Sequence, residues 1–149
     1  AGSADAATYG LTRIAISGDT ASVKHFAYSP VPMKENWARE ALMMAADNAH
    51  DDAEIVLEMA RAGLRVPSWL PPVTEVRVGR NGWVWVAREQ VPGVSDQLWD
   101  VIDPRNQRVA AVRIAADLSI YAVDGMAAWA VEDTDRGGRG LWRIQLEQR

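Results

Sequence analysis

The side chains able to do chemistry in this chain are few, and their spacing supports little. There are two histidines, His25 and His50, and no cysteine. Neither histidine sits in the H-x-x-H or H-E-x-x-H frame that turns two imidazoles onto one metal. Without a thiol there is no disulfide and no thiolate nucleophile. Carboxylates gather at Asp47, Asp51, Asp52 and Glu54, and again at Glu132, Asp133 and Asp135. The first group reads as helix capping, because acidic side chains favour the positive end of a helix. The second contains Asp133-Thr134-Asp135, a fragment of a calcium loop without the further ligands or the distal Glu that such a loop needs. Gly137-Gly138-Arg139-Gly140 joins two strand patterns, whereas a phosphate cradle needs a helix N-terminus. No G-x-S-x-G elbow, P-loop or dinucleotide fingerprint occurs. The expectation is no catalytic residue, no metal and no cofactor.

Tryptophan is the residue that asks for a reason, with seven in 149 positions. Most fall in a repeat. Residues 76–89 read VRVGRNGWVWVARE and residues 120–133 read IYAVDGMAAWAVED. In each, an apolar run meets a turn pair, Asn81-Gly82 or Asp124-Gly125, and then a second run that carries a Trp. Each is followed by another Trp-bearing segment, LWDVI at 98–102 and LWRIQL at 141–146. The spacings from Trp85 to Trp129 and from Trp99 to Trp142 differ by one residue. Both fall in the range of roughly 40–45 residues given by four-stranded propeller blades. Within residues 83–88, Trp83 and Trp85 share one face and Val84 and Val86 the other, which predicts a strand buried on both sides. Trp99, Trp129 and Trp142 are expected in the core.

The elements that must carry these residues follow from period and punctuation. Alternation predicts strands at 75–78, 83–88, 97–102, 108–114, 118–123, 127–132 and 141–146. Residues 11–28 predict a hairpin about Gly18-Asp19, and its sequence LTRIAISGDTASVKHF runs parallel to LWDVIDPRNQRVAAVRI. Between the two, the period changes. Trp37, Ala41, Met44, Ala45 and Asn48 step by three and four, predicting a helix over 33–48, and a second helix is expected over 52–62, stopped by Gly63. The linker VPSWLPP at 66–72 is too rich in proline to be regular. The chain thus divides into a tail (1–10), a partial blade hairpin (11–28), a helical insertion with a Pro-rich linker (29–72), and one full blade plus a three-stranded partial blade (73–149), all in one domain. The expected class is mainly β, with incomplete β-propeller-like blades of antiparallel sheet and a two-helix insertion.

A blade-opening strand, a D/N-G turn, a WVWV-like second strand, a W-x-V-I-D-P third strand and a returning V-A-A-V-R-I fourth resemble the C-terminal blades of bacterial six-bladed β-propeller proteins of the NHL and TolB-like kind. The resemblance covers about residues 11–146. It implies blades packed about an axis, with edges hidden by closure. About two and a half blades cannot close, so at least one open edge is expected to meet a partner or a second copy.

Charge and termini refine the expectation. A formal net charge of −4 lacks the concentrated basic surface of a nucleic-acid binder. No apolar run approaches the ~20 residues that cross a bilayer. The small, polar start from Ala1 to Ala7 resembles the end left by signal-peptide cleavage and predicts a periplasmic setting. The first functional expectation is therefore a non-catalytic binding or scaffold protein. It docks on a larger assembly, as an accessory subunit on the periplasmic face of a membrane electron-transfer or photosynthetic complex. Trp37, Met44 and Trp69, outside the repeat, are the expected partner contacts, because Trp anchors interfaces and Met adapts to them. The alternative is a C-terminal fragment of a propeller sensor or enzyme that binds a small ligand at the ring centre, with Glu75, Arg77 and Arg88 lining the channel.

Overall fold

Val84 to Arg88 is a strand whose five residues are all buried. Successive side chains of a strand point to opposite faces, so such a run needs cover on both sides. It has it. Val84 and Val86 pack with Tyr9, Phe26 and Ile102 on one face, while Trp85 and Ala87 pack with Trp99, Val101, Ile120 and Ala130 on the other.

The computed structural model describes residues 7–48, 67–133 and 138–147, together with residues 54 and 58. They form a mainly β protein with three antiparallel sheets. The first is a hairpin of β1 (Ala7–Ile14) and β2 (Thr20–Tyr28). The central sheet has the order β3 (Val73–Val78), β4 (Val84–Arg88), β5 (Asp96–Ile102), β6 (Arg108–Ala115). The last sheet has three strands, β7 (Leu118–Asp124), β8 (Ala127–Asp133) and β9 (Arg139–Gln145). Hairpin, central sheet and last sheet are layered in that order, with the central sheet covered on both faces.

Pairing repeats from layer to layer. In the hairpin Arg13 faces Ser22 and Ile14 faces Thr20, with one residue skipped on β2. In β5–β6 Val101 faces Ala110 and Ile102 faces Arg108, with the same skip. The two turns close alike, Ala15 N–H to the Asp19 carbonyl and Asp103 N–H to the Gln107 carbonyl. Likewise Val78↔Val84 and Val76↔Val86 correspond to Val123↔Ala128 and Ile120↔Ala130. Matched residues also look the same way along the stack. Val84 and Val86 look back at the hairpin, and their counterparts Ala128 and Ala130 look back at the central sheet. Arg13 looks forward to the central sheet, as Val101 looks forward to the last.

This register corrects two expectations. Trp129 lies at the place of Trp85, opposite Arg143 as Trp85 is opposite Val101. Trp142 does not match Trp99. Opposite Ala130, it takes the place of Asp100, and Leu141 takes that of Trp99. A shift of one residue sends a side chain to the other face; Trp99 is 2% exposed on β5, inside its sheet, while Trp142 is 52% exposed on β9, at the edge of its own. Strand β1 also starts at Ala7, inside the segment expected as a tail, and brings Tyr9 into the core.

Residues Pro30–Leu70 form a separate compact unit. Its helix α1 spans Glu35–Asn48, and an isolated bridge joins Pro32 to Trp69. The helix buries Ala46 and half-buries Ala38 and Leu42, a stripe at four-residue steps. Ala41, Met44 and Asn48 of the expected stripe are exposed. The second expected helix, 52–62, lies outside the described residues except for Glu54 and Glu58, which are helical. The loop carrying Thr134 and Asp135, and the start of the Gly137–Gly140 run, lie outside them too.

Candidate docking surface

A cluster of polar and charged side chains joins the hairpin to the central sheet. Asp100 stands in β5 between Trp99 and Val101 and is fully buried. Tyr9 Oη donates to its Oδ2 at 2.7 Å. Arg88 Nη1 lies 3.4 Å from the same oxygen, and Arg108 Nη1 reaches the carboxylate at 3.5 Å from the next strand. Arg88 also donates to the Pro72 carbonyl, pairs with Glu89 and stacks over the rings of Tyr9 and Tyr28. Burial, and then the bond to the Asp100 carboxylate, push the Tyr9 phenol well above its ordinary value. A buried charge of this kind persists only when paired and hydrogen-bonded. Tyr9, Arg88 and Asp100 are engaged and buried, with Arg108 joining from an exposed position, so the cluster fixes where the hairpin sits.

Nearer the turns, Arg13 does the same by reaching across. Its Nη2 donates to the Gly82 carbonyl at 2.7 Å and the Asp103 carbonyl at 3.1 Å, and its Nε to Asn106 Oδ1. Asn106 in turn donates to Ser22 Oγ at 2.7 Å. Asn81 and Asn106 both take positive φ, which lets these tight turns present their carbonyls.

The face that looks forward from the last sheet has no such cover among the described residues. Tyr121 is 78% and Leu141 is 74% exposed. Trp129 and Val131 are half-buried, and the Arg143 guanidinium lies over the Trp129 ring. The same sheet is one strand short of the central sheet, and no described strand pairs with the outer edge of β9. Beside that edge lies an open groove of about 600 Å³ lined by Val109, Ala110 and Val112 of β6, Met126, and Gln145, Leu146 and Glu147. Trp142 leans inward over the β8–β9 ladder, its Nε1 donating to Glu132 Oε2 at 2.8 Å.

The residues expected to bind a partner lie in the other unit. Trp37 is half-buried on α1 under the Lys34 ammonium, 4.6 Å from the ring centre. Met44 is 61% exposed on the same helix and Trp69 is 51% exposed beside Pro32. No ring contact among the described residues joins Trp37 to Trp69. The expected channel residues also part company. Glu75 and Arg77 pair on the face toward the last sheet, while Arg88 is buried on the opposite face against the hairpin. His25 is exposed on β2. Among the described residues no group of three His, Cys, Asp or Glu is placed to hold a metal, and no helix is long and apolar enough to cross a membrane.

Sequence reasoning missed Tyr9, Asp100 and Arg108, although a lone carboxylate inside LWDVI was the available signal. It also missed Tyr121 and Leu141, which alternation assigns to a face without saying whether that face is covered. No protein-family model, no curated protein and no solved structure matches this chain.

Proposed function

We propose that this protein is a non-catalytic binding module of stacked, propeller-like blades that attaches to a protein through the forward face of its last sheet. One contrast carries the reading. Leu141 is 74% exposed at the position where the central sheet holds Trp99 at 2%. The repeat makes these equivalent places, and the first two layers each bury their forward face on the layer that follows. An apolar sheet face left open marks an interaction site. Three further features support the reading: the repeated register, the shared facing of matched residues, and the resemblance of the repeat to propeller blades. On this reading the chain is an accessory subunit of a larger assembly, set on the periplasmic face of a membrane complex. Fractionation of native cells tests that setting, and recovery in the cytosol alone would overturn it.

The docking face is tested by placing a photo-crosslinking residue at Leu141, at Tyr121 or, as a control, at exposed Val94 in the β4–β5 loop. Discrete protein adducts are expected from the first two positions and not from the third. Equal or absent labelling at all three would sink the proposal.

A further inference from the structure

Resting on that reading, we infer that the occupant of the forward face is a second copy of this chain, which docks the outward side of its own β1–β2 hairpin there. The contact continues an interface already made twice within the chain, forward face on backward face. Among the described residues both ends of the three-layer stack are open. At one end stand Tyr121, Trp129 and Leu141. At the other, the side of the hairpin turned away from the central sheet exposes Thr12, Ile14 and Val23, with Ile14 at 67% and Val23 at 53%.

Charge gives the contact its register. Arg13, Val101 and Arg143 occupy matching positions in the three layers. Arg13 spends its guanidinium on the turns of the next layer, at Gly82, Asp103 and Asn106. Arg143 has the same aim on the forward face of the last sheet, and there it meets Trp129 and Gln145 of its own sheet. The turn matching Asp103–Gln107 is Ala15–Asp19, closed by the same backbone bond. That turn presents the Ala15 carbonyl and the exposed Asp19 carboxylate, which Ser17 holds at 2.9 Å. A second copy therefore offers Arg143 both a carbonyl and an opposite charge, which sets register and specificity. A head-to-tail contact either closes or runs on as a filament. Two copies of three layers, each forward face on the other's hairpin, close as a ring of six layers, within the range of propellers.

Native mass of the purified full chain is the first test. A species of two chains is expected, and a monomer or an open-ended series overturns the inference. Arg143→Asp and Asp19→Arg, both at exposed positions, are each expected to weaken dimerisation on the order of tenfold or more, with circular dichroism unchanged. Combined, they restore it. A dimer indifferent to all three variants overturns the assigned contact. A monomer that still gives a crosslink from Leu141 to another protein overturns the second copy and leaves the binding module standing. A monomer without that crosslink sinks both.

Discussion

At the scale of single residues the stability of the stack concentrates on Asp100. Its carboxylate is fully buried and shared by Tyr9, Arg88 and Arg108. Removing one partner of a buried ion pair leaves an uncompensated charge, so Asp100→Ala is expected to cost about 3–5 kcal/mol in denaturant unfolding. A loss under about 1 kcal/mol would show the cluster to be incidental. Tyr9→Phe removes one hydrogen bond and should cost about 1–2 kcal/mol. It should also change the response to alkali. The folded chain holds the Tyr9 proton well above the ordinary phenol value, whereas the unfolded chain releases it near pH 10. Unfolding therefore sheds a proton once the pH passes about 10, and stability that is fully present below that pH is lost as the pH rises toward the folded value. The Tyr9→Phe variant should show a shallower alkaline loss than the parent. Parallel pH profiles for the two proteins would refute this.

At the scale of elements, the central and last sheets come close where β3 leaves for its turn. A Cβ on Gly79 would stand 2.7 Å from the Val123 carbonyl oxygen of β7. The Gly79 backbone has φ −88, which any residue adopts, so the glycine is required by contact and not by conformation. Gly79→Ala must push the last sheet from the central one, at a cost of about 1–3 kcal/mol read as a lowered denaturant midpoint. An unchanged midpoint would mean that the two sheets slide freely. The sequence made the strands legible because each carries its own period. VWVAR announced burial on both faces, and the hairpin over 11–28 announced its kinship with β5–β6. Facing at the end of the chain was not legible. LWDVI and LWRIQL align by eye on their tryptophans, but strand pairing is set by the shorter connection from β8 to β9, which moves Trp142 onto the place of Asp100. Nor could spacing reveal that Tyr9 meets Asp100, since the two are brought together only when the hairpin lands on the central sheet. The expected helix stripe failed for a related reason. Small residues on several sides of α1 fit more than one face, and Ala38, Leu42 and Ala46 won over Ala41 and Met44.

At the scale of the whole molecule, the unit Pro30–Leu70 interrupts a repeat that does not need it. The hairpin matches β5–β6 and the central sheet matches the last sheet, so the passage from β2 to β3 is the counterpart of the passage from β6 to β7. That second passage uses only Ala116 and Asp117. The three sheets and both apolar clusters belong to the unit formed by Ala1–Ser29 and Pro71–Arg149. Replacing Pro30–Leu70 with a short Gly-Ser link should therefore leave one cooperative transition, with a spectrum richer in strand. Closing a shorter loop also loses less chain entropy, so stability should hold or rise by on the order of 1 kcal/mol. Because Pro71 and Pro72 remain, the Pro72 carbonyl still accepts from Arg88, and Asp100→Ala should cost the shortened chain the same as the parent. A shortened chain that melts without cooperativity would mean that the helical unit is part of the fold. Unequal losses from Asp100→Ala in the two backgrounds would mean that the buried cluster depends on it.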